Sequence, residues 1–76
     1  MKELVELIVK SLVDNPENVQ VSQLDGEQTS ILEVKVAKED IGKIIGKQGR
    51  TAQAIRVILG AAGMKLKKRF NLEIID

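Results

Sequence analysis

The chain has no cysteine, histidine, tyrosine or tryptophan, and one phenylalanine is its only aromatic residue. Without cysteine there can be no disulfide and no thiolate metal site, and without histidine the commonest metal ligand and proton carrier is missing. Acid–base and nucleophilic catalysis rely largely on these residue types, and no serine has a histidine to activate it. The composition therefore favours a binding protein over an enzyme, and we expect neither a metal nor a cofactor.

Long apolar runs are missing as well. No segment approaches the roughly 18 apolar residues of a transmembrane helix, and the chain does not open with a signal-peptide pattern, so we expect a soluble cytoplasmic protein. A length of 76 residues allows one small domain, residues 1–76. The sequence has no cysteine or histidine to cross-link the fold through a disulfide or a metal, and 43% of its residues are hydrophobic. The core must therefore consist of aliphatic side chains.

Acidic residues are scarce in the second half of the chain, although the net charge of the whole is only +1. Residues 1–40 carry four lysines and nine acids, whereas residues 41–76 carry eight basic residues and two acids. No Asp or Glu occurs between Ile41 and Phe70. Such a chain can present a basic side to a polyanion, and an ordinary solvated surface is the alternative.

Hydrophobic periodicity predicts six secondary-structure elements. In chain order these are a helix over 2–14, strands over 18–24 and 30–36, a short helix over 38–45, a longer helix over 50–62 and a strand over 68–75. Asn15-Pro16 should end the first helix, Asp25-Gly26 should form a hairpin turn, and Gly63 should cap the long helix. Three strands with helices on one face give an α+β fold, a two-layer sandwich of order α-β-β-α-α-β.

The apolar positions of these elements predict which faces are buried. In the first helix, Leu4, Val5, Ile8 and Leu12 share one side. Apolar and polar residues alternate along the strands, so one face of the sheet should be buried and the other wet. The predicted inward strand positions are Val19, Val21, Leu32, Val34, Val36, Phe70, Leu72 and Ile74.

Residues 41–50, Ile-Gly-Lys-Ile-Ile-Gly-Lys-Gln-Gly-Arg, have the composition of a phosphate-binding segment but match neither common nucleotide motif. The Walker loop needs four residues between its first glycine and the Gly-Lys pair, followed by a hydroxyl. Here Gly42 and Gly46 are separated by three residues, and Gln48 stands in the hydroxyl position. The dinucleotide fingerprint would need a glycine at Ile44. We therefore expect neither a Walker site nor a dinucleotide site.

What remains is the loop 46–49, Gly-Lys-Gln-Gly, which joins the two predicted helices. Gly46 can end the first helix at positive φ, and Gly49 can let the second begin at a tight angle. A plain helix hairpin would explain both glycines, but three further features indicate a phosphate site. The loop contains no acid, Arg50 stands at a helix N-terminus where anions are favoured, and Gly42 lies inside a helix where glycine is unfavourable.

These residues resemble the signature of the KH domain, in which hydrophobic-Ile-Gly-x-x-Gly precedes a helix with apolar residues at three-residue spacing. The element order is similar to that of the type II, prokaryotic KH fold over the whole chain. The resemblance implies that about four nucleotides of single-stranded RNA bind with their backbone against the GxxG loop and their bases over an aliphatic groove. It also implies a role as an RNA chaperone or regulator. The RNA-binding residues that it implies are Ile41, Gly42, Lys43, Ile45, Gly46, Lys47, Gln48, Gly49 and Arg50.

The expected RNA site has little aromatic character. Lys47 and Arg50 can neutralise phosphates, while Ile41 and Ile45 with Val36 can form the floor of a base groove. Because base stacking on aromatic rings is largely unavailable, affinity should be modest and sequence preference weak. The chain departs from the KH pattern at the first apolar position after the loop, which is Ala52 rather than a large aliphatic residue. This change affects packing or groove depth more than the loop itself.

A second basic group follows the long helix, and its role is open between a further phosphate contact and solvated charge. Its members are Lys65, Lys67, Lys68 and Arg69.

A different class of function, an interaction module, is the alternative to RNA binding. Beside its predicted sheet-facing stripe, the long helix has a second apolar side formed by Ala54, Val57, Ile58 and Ala61. This side can pack against a second copy across a two-fold axis, or helix 2–14 can cover it. The resemblance also implies a heterodimer with a larger protein of the Jag type, which joins a KH domain to a second nucleic-acid-binding domain.

Overall fold

A computed structural model describes residues 1–75 and confirms the predicted fold class and element order. The helices and strands are α1 (Lys2–Leu12), β1 (Gln20–Asp25), β2 (Thr29–Lys35), α2 (Ile41–Ile45), α3 (Arg50–Leu66) and β3 (Arg69–Ile75). Short 3-10 turns lie over Pro16–Asn18, Lys38–Asp40 and Lys47–Gly49. Within the described residues, no helix combines the length and the apolar character that crossing a membrane requires.

The sheet has the strand order β1-β2-β3, with β2 in the centre. β1 and β2 are antiparallel and place Val21 opposite Val34, whereas β2 and β3 are parallel and place Thr29 opposite Arg69. A parallel pair needs a crossover connection, which α2 and α3 supply. Because β3 begins beside the first residues of β2, α3 must run back along the sheet. Its first turn therefore lies towards the carboxyl end of β2, and its last turn lies at the opposite end.

The core lies between the sheet and the three helices. Its fully buried apolar side chains are Val5, Val9, Leu32, Val34 and Ile44, and Leu59 is almost as inaccessible. The predicted inward face of the sheet is confirmed. The buried members of this face are Val19, Val21, Leu32, Val34, Val36 and Leu72. Phe70 and Ile74 are partly buried against the same cluster.

The predicted buried side of α1 is partly wrong. Leu4 and Leu12 are 39% and 40% exposed, whereas Val9, which the prediction left out, is fully buried together with Val5. Positions 5, 9 and 13 follow the helical spacing as well as positions 4, 8 and 12 do, so periodicity cannot separate two adjacent apolar stripes. Packing of α1 against β1 and α2 selects the first of these stripes.

Several predicted boundaries differ from the structure by one to four residues, and α2 begins at Ile41 rather than 38 because Lys38–Asp40 form a 3-10 turn. α1 ends at Leu12, before Asn15-Pro16, because Pro16 opens a 3-10 turn that also delays β1 until Gln20. α3 continues through Gly63 to Leu66, and the left-handed cap is Lys67 at φ 54°. Gly63 is required for a different reason: a side chain there would overlap the backbone carbonyl of Lys68.

Asp40, in the turn that leads into α2, is a carboxylate with no solvent exposure. Its oxygens accept hydrogen bonds from the backbone N–H groups of Asp14 (3.2 Å) and Asn15 (3.0 Å) and from the side-chain amide of Asn15 (3.0 Å). Lys43 Nζ lies 3.6 Å from the Asp40 carboxylate and 2.7 Å from that of Asp14. These contacts join the end of α1 to the beginning of α2.

The pKa of Asp40 reflects two opposing effects. Burial acts to raise the pKa, but the hydrogen bonds from Asn15 and Asp14 and the charge of Lys43 outweigh burial and lower it below the ordinary value of 3.8. A carboxylate whose folded pKa is lowered stabilises the fold fully above its unfolded pKa. The stabilisation is lost as the pH falls through the folded pKa.

We therefore expect Asp40→Asn to lower the melting temperature at pH 7 by several degrees. The amide would place an N–H₂ group opposite N–H donors whose hydrogen bonds the carboxylate now accepts. The same variant should show a weaker fall of stability between pH 5 and pH 2 than the wild type. Thermal melts across this range measure both effects. Asp25→Asn is the control, since the pKa of Asp25 is also lowered, chiefly by the Ser30 hydrogen bond, but at the other end of β2. An unchanged melt for Asp40→Asn at pH 7 would contradict the expectation.

Candidate nucleic-acid interface

The backbone of loop 46–49 can be formed only with glycine at its first position. Gly46 ends α2 at φ 79°, and its N–H donates to the carbonyl of Gly42 at 2.8 Å. A side chain on Gly46 would overlap Thr51, so both the φ angle and the available space require glycine. Gln48 and Gly49 follow in the left-handed region at φ 58° and 74°. The predicted function of both glycines in turning the chain is confirmed.

The loop presents two side chains and the start of a long helix to solvent. Lys47, Gln48 and Arg50 are all exposed. α3 begins at Arg50 after Gly49 with no side-chain cap, so the N–H groups of its first turn have no side-chain acceptor. The Arg50 N–H donates to the carbonyl of Lys47, while the next N–H groups lie at the positive end of a 17-residue helix beside two cations, an arrangement that suits a phosphate group.

The basic residues of this segment are not equivalent. Among the described residues, neither Lys47 nor Arg50 takes part in an ion pair. Lys43 is paired with Asp14 and Asp40, and the hydrogen bond to Asp14 is the main reason that the pKa of Lys43 is raised. The charge of Lys43 is therefore already engaged by α1 and the turn before α2, whereas the other two charges are available.

A shallow groove of about 710 Å³ lies between the end of β2 and the start of α2. It is lined by Lys35, Val36, Lys38 and Ile41. Val36 and Ile41 are thus brought together as expected for an aliphatic floor, while Ile45 lies outside this lining and is 40% exposed at the end of α2.

The prediction from sequence missed the two lysines of this groove. Lys35 and Lys38 flank the segment between β2 and the turn into α2, and both are exposed. Their position between a predicted strand and residues 41–50 could have indicated this role. The alternating pattern of β2, however, placed Lys35 only on the solvent-exposed face of the sheet.

Gly42 and Ala52 lie on either side of the loop in different environments. A Cβ atom on Gly42 would meet no atom within 4 Å, so the packing of the fold does not explain glycine at this exposed position in α2. Ala52 is 3% exposed and belongs to the buried side of α3. The departure from the KH pattern at Ala52 therefore falls in the interior.

The second apolar side of α3 is uncovered in the structure. Ala54, Val57, Ile58 and Ala61 are exposed, with Val57 at 63% and Ile58 at 45%. α1 packs against β1 and α2 and leaves this side open, so the alternative in which helix 2–14 covers it is wrong. The side of α3 that faces the sheet is formed by Ala52, Ile55, Leu59 and Gly63.

Comparison with known proteins gives matches along nearly the whole chain. Residues 2–74 match the family described as KhpA/KhpB, KH domain. RNA-binding protein KhpA of Clostridium acetobutylicum is 61% identical over 99% of this chain and 100% of its own length. Proteins of the same name from Borreliella burgdorferi and Aquifex aeolicus are 51% and 49% identical, over 97% and 100% of this chain and 90% and 96% of their own lengths.

No solved structure matches the chain. The family match covers both the glycine loop and the long helix that follows it, and it confirms the resemblance to KH domains that the sequence suggested. With the type II element order and these full-length relatives, the chain belongs to the KhpA/KhpB family of KH domains.

Proposed function

We propose that this chain is a non-catalytic, cytoplasmic protein that binds single-stranded RNA as one KH domain. The observation that carries the proposal is the uncapped start of α3 behind a glycine loop, with Lys47 and Arg50 exposed and unpaired among the described residues. Such a site favours phosphate oxygens through free N–H groups and through charge. The names of the relatives, RNA-binding protein KhpA, support RNA as the ligand.

The proposed site consists of two surfaces, one for the sugar–phosphate backbone and one for the bases. Loop 46–49 and Arg50 hold the sugar–phosphate backbone, and the groove over Val36 and Ile41 receives bases. Lys35 and Lys38 at the rim of that groove add charge for the neighbouring phosphates. Because the site contains no aromatic ring, base contacts are aliphatic, and we expect weak sequence preference, which is compatible with an RNA chaperone.

Replacing Lys47 and Gln48 together by Asp should abolish most RNA binding, because two negative charges would lie where phosphates bind. The melting temperature should change little, since both side chains are exposed. Filter binding across a salt series measures the effect. The wild type should give a log–log slope of about −1.4 to −2.8, as expected for release of about 2–4 counterions from a single strand. A matched control, Lys2→Asp with Asn71→Asp, makes the same charge change on exposed positions of α1 and the outer sheet face. Equal losses in both double variants would contradict a loop-specific site.

Gly42→Ala separates stability from binding. The added methyl group meets no neighbour within 4 Å, and replacing glycine inside a helix should stabilise the fold by about 0.5–1 kcal/mol. If RNA approaches the backbone of α2 closely, the same methyl group should weaken binding several-fold. Thermal melts and RNA titrations of this one variant test both statements. A more stable protein with unchanged RNA affinity would show that the strand does not approach this glycine.

We also propose that the exposed apolar side of α3 is a protein interface. Four apolar residues, two of them large, are open to solvent on one helix face. Small residues at Ala54 and Ala61 permit close helix–helix approach around Val57 and Ile58, and a two-fold axis makes such a surface self-complementary. We propose a homodimer through this side, with a heterodimer to a KhpB or Jag-type KH protein as the alternative. An interaction module with little RNA binding of its own is the competing function.

Ile58→Asp should give a monomer, because the interface would bury an unpaired charge. The fold of the monomer should persist, since Ile58 is already 45% exposed within it. Sedimentation of wild type and variant, with circular dichroism of both, makes the comparison. Gln53→Asp, at an exposed position on α3 outside the apolar side, makes the same charge change as Ile58→Asp; it is the control and should leave association intact. A wild type that remains monomeric at high concentration would refute the homodimer.

A further inference from the structure

Three members of the second basic group, Lys67, Lys68 and Arg69, line a cleft at the far end of the molecule from loop 46–49. The cleft has a volume of about 560 Å³ and lies where the β1–β2 turn, the last turns of α3 and the first residues of β3 meet. This volume is within the range typical of small-molecule sites. Its lining includes Gln28, Gly60, Gly63, Lys67, Arg69 and Phe70.

The charge of this cleft is positive and largely unpaired. Lys68 contacts Asp25 at 3.7 Å and belongs to the fold, because Asp25 also accepts a hydrogen bond from the buried Ser30. Lys67 and Arg69 line the cleft and are exposed, and neither takes part in an ion pair among the described residues. Three basic side chains, Lys67, Lys68 and Arg69, therefore line the cleft, and one of them contacts the acid Asp25.

Two glycines of α3 line the cleft, and only one of them is required by the fold. Gly63 must lack a side chain because the carbonyl of Lys68 occupies that space. A Cβ atom on Gly60 would meet no atom within 4 Å, although glycine inside a helix is unfavourable. Packing therefore does not explain Gly60, whereas a ligand that lies against the helix backbone would.

The floor of the cleft contains the only aromatic ring of the protein. Phe70 is partly buried, packs against the core and contributes to the cleft lining. A flat ring beside a bare helix backbone provides a surface for a base, and Lys67 and Arg69 at the rim provide charge for a phosphate. We infer that this cleft is a second nucleotide-binding site, which takes a phosphate-bearing nucleotide of a single RNA strand.

The two sites can be occupied by one strand. α3 has 17 residues, and a rise of about 1.5 Å per residue places its ends about 25 Å apart. At about 3.4 Å per stacked nucleotide, about seven nucleotides separate the sites. Gln53 and Arg56 precede Gly60 by seven and four residues, so they lie on the same flank of the helix and provide polar contacts between the sites. This step rests on the proposed function, because it assumes that loop 46–49 holds the same strand.

The experiment compares a 5-nucleotide and a 14-nucleotide oligoadenylate, whose bases stack, since only the longer strand reaches both sites. For Lys67→Gln with Arg69→Gln, we expect affinity for the 14-mer to fall about tenfold, with its log–log salt slope shallower by about 1.4, and affinity for the 5-mer to stay unchanged. Gly60→Ala should raise the melting temperature and still weaken binding of the 14-mer. A more stable protein with lower affinity would exclude misfolding as the cause of the lost binding. Lys2→Gln with Lys10→Gln removes the same charge from α1 and should leave both oligonucleotides unaffected.

Three outcomes would overturn the inference. One is an unchanged 14-mer affinity in both cleft variants, and another is an equal loss in the α1 control. The third is a shift of the Gln28 and Gly60 amide signals with adenosine monophosphate but not with the 14-mer, which would assign the cleft to free nucleotides. Loss of 5-mer binding in the Lys47 and Gln48 double variant tests the proposed function separately. If 5-mer binding is not lost while the cleft variants still weaken binding of the 14-mer, the assignment of the loop is wrong and the assignment of the cleft is retained.

Discussion

The buried carboxylate of Asp40 is the interaction on which the position of the glycine loop depends. α2 has only five residues and could not hold a fixed direction through its own hydrogen bonds. Asp40 fixes its start by accepting hydrogen bonds from the end of α1, while Ile44 anchors it in the core. A buried carboxylate is tolerated when donors surround it, and here Asn15 and the backbone supply them. The position of the loop therefore depends on Asp14 and Asn15, which follow α1 and lie outside the candidate phosphate site.

The parallel pairing of β2 and β3 gives the molecule two chemically different ends. It forces α3 to span the sheet, so the start of α3 lies beside the aliphatic groove and its end lies beside Phe70. Both ends are basic, yet they offer different features to a ligand. The loop end offers free N–H groups and no ring, whereas the other end offers a ring and a bare helix flank at Gly60. The uncovered apolar side of α3 lies between these ends on a different flank, so an RNA strand and a second protein need not compete.

Most of the fold could be predicted from the sequence because its elements are short and strongly patterned. The strands alternate cleanly, and the loop glycines at 46 and 49 stand where a positive φ is needed. The failures have one cause, since a local pattern does not reveal the neighbour that selects among alternatives. Two stripes of α1 were equally apolar, and only contact with β1 and α2 chose Val9 over Leu12. Gly63 was expected at a helix end, but the carbonyl of Lys68 makes it necessary inside the helix.

For the candidate site, the sequence predicted the loop and its cations but could not predict which of the charges are paired within the fold. Lys43 and Lys47 are four residues apart in the same motif, and only the fold shows that Asp14 reaches the first of them. The groove lysines Lys35 and Lys38 were hidden for a similar reason, because their role depends on the meeting of a strand end with a helix start. The cleft at the other end combines residues from three separate segments, which no single motif could reveal.

The parallel pairing also determines how the chain must fold. The β1–β2 hairpin and the helix–loop–helix segment are local, but the pairing of Thr29 with Arg69 joins residues far apart in the sequence. Contacts of this kind require closure of a long loop before they give any stabilisation, so they form late and slowly. Until β3 docks, the inner side of α3 has no complete sheet to cover it, and Leu59 and Leu72 remain exposed to water. The contacts that complete the sheet and cover α3 are therefore those with the greatest separation along the chain.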